Sequence, residues 1–312
     1  MTRMTRMTLA ARNGGRHWVV YALVTVFLWG IWGALAGLSA QHGFPDTLVY
    51  CVWSLTMIPP ALFVLARAGW KLDVSPRAVG FGMTIGLLGA GGQMLLFKAL
   101  TIGPAYFIFP IISLSPAITI ALSFALLRER TGKLGALGIV LALVALPLFD
   151  LSVGQGNAQG LGWFALALLI MAAWGVQAYF MKLANNTVSA ESIFFYMMVG
   201  GLVLAPVAWA WTDFSLPVNL GWDGPWMTAA IQILNAIGAL TLVFAFRYGK
   251  AMVVAPLTNA GAPLITAVLA LAFAGAVPGP LKILGLALAL IASLLLVLEP
   301  DRAAPPIKET GA

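Results

Sequence analysis

Few residues of this chain could bind a polar solute, and most of them lie inside long apolar runs. Gln93 and Lys98 fall near the end of one run, and Tyr106, Ser113 and Ser115 fall in the next. Gln177 stands in a later run, Gln232 and Asn235 share a helical face at i, i+3, and Thr258 and Asn259 are neighbours. Polar side chains at lipid depth are costly unless they face a bundle interior or water, so they point to a pathway. For any one of them, a hydrogen bond that only joins two helices is an equal reading. Together they favour a polar cavity.

Trp29, Trp32 and Trp174 lie too deep in their runs for the interfacial belt that holds most membrane tryptophans. They suit an aromatic wall against an apolar or cationic part of a solute, with plain packing as the alternative. Two runs carry paired prolines, Pro110 with Pro116 and Pro256 with Pro263. Each proline frees a carbonyl four residues back, offering backbone polarity for a ligand or merely a fixed kink. Lys98 has two readings as well: a partner for a substrate carboxylate or phosphate, or a lysine that snorkels to the interface.

The acids carry information by their positions, because all ten lie in loops or at run ends and none is near mid-membrane, where proton-driven pumps place one. His17 and His42 are terminal or in a loop, and Cys51 is the single cysteine. No metal-ligand spacing, catalytic triad or phosphate loop is present, so neither enzymatic chemistry nor ATP-driven transport is supported and no cofactor is expected.

The chain is 61% hydrophobic and 9% charged, too few polar residues to cover a water-facing surface of its own, so it needs lipid. Its basic residues are scattered singly, which argues against nucleic acid as a partner. Ten segments are apolar enough to cross a bilayer, near 18–40, 48–67, 78–100, 105–127, 133–149, 161–183, 191–211, 225–247, 251–274 and 279–298. With the N-terminus inside, 15 of the 17 lysines and arginines fall on the cytoplasmic side, leaving Lys98 and Lys282. This predicts a multi-pass protein of a bacterial-type inner membrane, with cytoplasmic tails at 1–17 and 300–312. Nothing in the sequence marks an oligomeric state.

Shifted against itself by 145 to 147 residues, the chain matches in order throughout. Trp29-Gly30 meets Trp174-Gly175, Tyr50 meets Tyr196, Pro60 meets Pro206, and Ala99, Gly103, Ala105 and Pro110 meet Ala245, Gly249, Ala251 and Pro256. Each copy, 18–149 and 161–299, holds five spans, an odd number, so the second enters the membrane from the opposite face. An all-α protein of two inverted five-helix repeats is the plan of secondary transporters, with substrate near the midplane between halves.

The stretch from Phe97 to Gly138 carries Ala99-Leu100 at the end of the third span, Leu114-Ser115-Pro116 within the fourth, and Glu129-Arg130 before a glycine-containing fifth. In these features it resembles the EamA-like branch of the drug/metabolite transporter superfamily, and Ala245 to Gly285 is similar to a degenerate second copy. The position matching Glu129 falls near Gly275, so the second copy lacks the acid. The resemblance implies a cavity lined chiefly by the third, fourth, eighth and ninth spans, with the first, second, sixth and seventh rocking around it. It implies an exporter or facilitator of small polar metabolites such as amino acids, working by alternating access. The neutral glutamine, asparagine and tryptophan complement keeps a sugar importer open, and the fold keeps a lipid-linked carrier flippase or a non-transporting assembly subunit open.

Overall fold

The computed structural model describes residues 17–102, 108, 111–150, 162–274 and 279–298, and they form ten helical segments, six of them long and apolar enough to cross a membrane and four shorter apolar ones. α1 is His17–Leu35, extended by the turn Leu38–Gln41; α2 is Asp46–Thr56 continued by Ile58–Arg67; α3 is Pro76–Ile102; α4 is Ser115–Ala125; α5 is Lys133–Asp150. The second half repeats the order: α6 is Gly162–Ala184, α7 is Ala190–Ala210, α8 is Met227–Tyr248, α9 is Ala251–Ala274 and α10 is Pro280–Leu298.

Local chemistry sets the ends and breaks. α2 is interrupted at Met57 because Pro59 and Pro60 bring no N–H to the helix ladder. α3 starts earlier than its hydropathy suggests: Asp73 accepts the Ser75 N–H (2.9 Å), and Ser75 Oγ accepts the Ala78 N–H (3.2 Å), a cap on Pro76 at the first helical position. Ser189 caps α7 by accepting the Ser192 N–H (3.2 Å). A π turn over Trp222–Trp226, containing Gly224 and Pro225, leads into α8. α9 runs unbroken through Pro256 and Pro263, so those prolines leave the carbonyls of Met252 and Asn259 without helical partners but do not divide the helix.

Each half lends its first helix to the other. α1 packs on α8 and α9, while α6 packs on α3 and α4; α2 lies against α7, and α5 against α10. These pairs exchange under the same shift of 145 to 147 that relates the sequence halves. Thr119 Oγ1 donates to the Gly175 carbonyl and Thr266 Oγ1 to the Gly30 carbonyl, both at 2.9 Å. A Cβ on Gly175 would meet Ile118 and the Ser115 carbonyl; one on Gly30 would meet Ile265 and the Ala262 carbonyl. The two half-structures are therefore related by a two-fold axis, as two inverted five-helix repeats require.

Outside this core the helices present Val20, Leu23 and Phe27 on α1 and Leu290, Ile291 and Leu294 on α10, all exposed. Such surfaces are stable only against hydrocarbon, and the chain is a polytopic membrane protein. Exposed Trp209, Trp211, Trp222 and Trp226 gather at the end formed by the α7–α8 connection, at interfacial depth.

Candidate functional site

Between the halves lies a cavity of about 270 Å³. Six of its walls come from α1, α2 and α8 on one side and α3, α6 and α4 on the other, with α7 and α9 closing the remainder. Trp29 and Trp32 come from α1, Gln93 from α3, Pro116 from α4, and Trp174 and Gln177 from α6. Ser115 from α4, Asn235 from α8, and Thr258 and Asn259 from α9 complete the residues that sequence placed there.

The four indoles are fixed by their N–H groups. Trp29 Nε1 donates to the Asn235 carbonyl and Trp174 Nε1 to the Gly89 carbonyl, both at 3.2 Å, and these two bonds are symmetry counterparts. Glycine makes room for both rings, since a Cβ at Gly238 would strike Trp29 and one at Gly92 would strike Trp174. Trp53 Nε1 donates to Asn235 Oδ1 (2.8 Å), and Trp32 Nε1 to Gln232 Oε1 (3.0 Å). Gln232 is buried and meets the cavity only through Trp32. Asn259 Nδ2 donates to the Ala255 carbonyl (2.9 Å), and the residue lines the cavity.

Not every predicted residue is brought together. Lys98 is exposed near the end of α3 and does not line the cavity. Ser113 lies half-buried in a short helical segment before the turn at Leu114 that precedes α4, and Pro256 is buried within α9; neither lines the cavity. Pro263 lies within α9, while Tyr106 and Pro110 are outside the described residues. Sequence reasoning did not select Trp53, Met57, Thr119 or Phe246, all of which line the cavity. Trp53 stands early in its span and reads as a belt residue. Thr119 had a signal, its match to Thr266 at the repeat offset.

At the end of the cavity where α6 finishes and α8 meets α9, Met181 and Phe246 are buried at 2% and 1% exposure and close the floor. Beneath them lies a polar clasp between the halves. Glu129 Oε2 accepts the Met252 N–H (3.2 Å) at the start of α9, and Lys182 Nζ donates to the carbonyls of Phe246 (3.0 Å) and Gly249 (2.6 Å) at the end of α8. A carboxylate at a helix N-terminus and an ammonium at a C-terminus both complement the helix dipole. Lys250 Nζ adds a bond to the Arg130 carbonyl (2.8 Å). Burial pushes the Glu129 carboxyl above its ordinary range, against the opposing pull of the Met252 N–H and of Lys182. Among the described residues, no charged side chain lines the cavity itself.

A sequence model of the EamA-like transporter family matches this chain twice, over residues 16–149 and 161–298. RarD of Streptomyces exfoliatus is 22% identical over 264 residues, covering 81% of this chain and 78% of that protein. LicB of Haemophilus influenzae is 25% identical over 131 residues, 37% of this chain and 44% of LicB, so the chain spans under half the length of that relative. An uncharacterized protein of Methanocaldococcus jannaschii is 39% identical over 134 residues, 43% of this chain and 96% of that protein. A solved structure titled only as a crystal structure of a protein matches with a TM-score of 0.74 at 18% identity, covering 89% of this chain and 98% of that one, which is a likeness of fold.

Proposed function

The chain belongs to the EamA-like transporter family, within the drug/metabolite transporter superfamily, and from that premise we propose that it carries a small polar metabolite by alternating access between its two halves. The observation that carries the proposal is the cavity between the repeats, to which both halves contribute aromatic and carboxamide side chains and, among the described residues, neither contributes a charge. Exchange of the two conformations of inverted repeats presents such a cavity to one side and then to the other. Amino-acid export is the finer reading that the family resemblance suggests. The uncharged lining supports a second, a neutral solute such as a sugar, because a carboxylate or ammonium entering this space meets no opposite charge. A cavity enclosed by helices of both repeats favours either over a lipid-linked carrier. The clasped end faces the cytoplasm on this reading, together with both termini.

Counterflow in proteoliposomes tests the function: vesicles preloaded with one solute should draw in the labelled form of the same solute, and no exchange across amino acids, sugars and nucleobases would end the transport proposal. Orientation is read separately. In a Cys51→Ser background, Asn219→Cys should react with a membrane-impermeant thiol reagent outside whole cells, and Lys71→Cys should not; the reverse pattern would invert the topology.

A further inference from the structure

Resting on the transport reading, we infer that Gln93 and Gln177 are the groups that select the solute, and that it is an uncharged flat heterocycle with an amide or lactam edge, of the nucleobase kind. The symmetry of the fold exposes the difference on which this stands. Gln177 on α6 occupies the position that Trp32 holds on α1, at an offset of 145, and Gln93 on α3 occupies the position of Ala239 on α8, at 146. All four line the cavity. One scaffold therefore presents carboxamides from the α3/α6 pair and an indole with a methyl group from its counterpart, the α8/α1 pair. Trp29 and Trp53 extend the aromatic side.

The hydrogen bonding sharpens this division. All four indole N–H groups are engaged within the protein, so the tryptophans offer ring faces and no donors. The carboxamides of Gln93 and Gln177 are half-buried, and neither bonds to any described residue. Gln177 rests against Gly89, one helical turn before Gln93 on α3, which brings both amides to one stretch of wall. A side-chain amide offers a donor beside an acceptor, the pattern that a lactam or amidine edge returns in two parallel bonds. Flat rings stack on indole faces without any demand for charge. A quaternary ammonium would use the rings but leave both amides unpaired, and a zwitterionic amino acid would bring two charges into a space that holds none. The cavity volume, about 270 Å³, lies below the roughly 300–1,000 Å³ of sites for drug-sized ligands, which fits a single small ring.

Purified full-length protein in proteoliposomes decides the matter through counterflow of labelled uracil and adenine, beside glucose, leucine and choline. Exchange of a nucleobase is expected, with Gln177→Leu and Gln93→Leu each raising its half-saturating concentration about tenfold while the maximal exchange rate stays within about twofold. Tryptophan fluorescence titrated with uracil gives the same shift in detergent and separates lost recognition from lost folding. If glucose, leucine or choline exchanges and no nucleobase does, the inference is overturned and the transport reading stands. Nucleobase exchange that both leucine variants leave unaltered overturns the assignment of the two glutamines. Absence of exchange for all five solutes overturns it together with the transport reading.

Discussion

At mid-depth the two repeats hold each other through paired contacts, whereas at the clasped end they do not. Trp29 on Asn235 is repeated by Trp174 on Gly89, and Thr266 on Gly30 by Thr119 on Gly175. The clasp has no such repeat in sequence: the position matching Glu129 falls near Gly275, and Lys182 shifted by 146 falls at Ala36. Symmetric contacts can be re-formed equivalently after the halves exchange shapes, so they favour neither conformer. An unmatched clasp stabilises only the conformer in which it forms, so this comparison divides the molecule into a neutral hinge and a biased end.

The hardest way to break the comparison is to fill the glycines at the hinge. A side chain on Gly30 enters the space of Ile265 and the Ala262 carbonyl, and one on Gly175 that of Ile118 and the Ser115 carbonyl. Because backbone atoms are among the obstacles, neighbouring rotamers cannot absorb the change, and overpacking of about 1–3 kcal/mol or more is expected from each. Gly30→Leu and Gly175→Leu should each lower counterflow to under a tenth and depress the melting temperature in detergent by similar amounts. A severe loss in one with near-normal activity in the other would show that the hinge is not symmetric in energy.

How much of this was legible in sequence follows the same division. The ten spans, their order and the repeat were readable because lipid demands long apolar runs and duplication leaves Trp-Gly and proline pairs at a constant offset. α9 ends where hydropathy places it, whereas α3 begins earlier because Asp73 and Ser75 build a cap that hydropathy does not register. Among the site residues, Trp29, Trp32, Gln93, Trp174, Gln177, Asn235 and Asn259 reach one cavity because glutamine and asparagine at lipid depth have few other stable places. Lys98 does not line it, since its long stem lets the charge leave from the last turns of a helix. The clasp was not legible, because Glu129 and Lys182 lie on separate halves and each reads alone as an ordinary end-of-helix charge.

A smaller effect is expected at the clasp. Glu129→Gln keeps an acceptor for the Met252 N–H but removes the charge, and Lys182→Met removes both bonds to the end of α8. Hydrogen bonds to charged groups contribute about 1.5–3 kcal/mol, so losing the two Lys182 bonds should shift the balance between conformers by roughly tenfold. The measurement is alkylation of Ala178→Cys, a cavity position, by an impermeant thiol reagent applied to the clasped face in inside-out vesicles, with Cys51 replaced by serine. Faster labelling is expected in Lys182→Met, whereas Glu129→Gln, a neutral stand-in for the protonated carboxyl, should label no faster than the native chain. Unchanged labelling in Lys182→Met would reduce the clasp to ordinary helix capping.

The smallest expected effect is on pH dependence, and its sign follows from burial rather than from charge pairing. In the clasped conformer desolvation holds the Glu129 carboxyl above its ordinary range despite the Met252 N–H and the nearby Lys182 and Lys250. Opening of the clasp returns that group to water and to an ordinary glutamate value, about 4.3. A group whose pKa is higher in one conformer binds its proton more tightly there, so protonation favours the clasped conformer. The added stability is fully present below the ordinary value and is lost as pH rises through the raised one. The other charged groups around the clasp are Lys182, Lys250, Arg128, Arg130 and Arg247. Labelling of Ala178→Cys from the clasped face should therefore slow modestly, by about two- to threefold, as pH is lowered from 8 to 5, after correction for the reagent's own thiol chemistry on an exposed control cysteine at Lys71 on the same face. Glu129→Gln should remove the trend. A trend of the opposite sign in the native chain would mean that the ionised carboxylate holds the clasp more strongly than burial opposes it, and the end of the molecule that breaks the symmetry would then be tightened by rising pH.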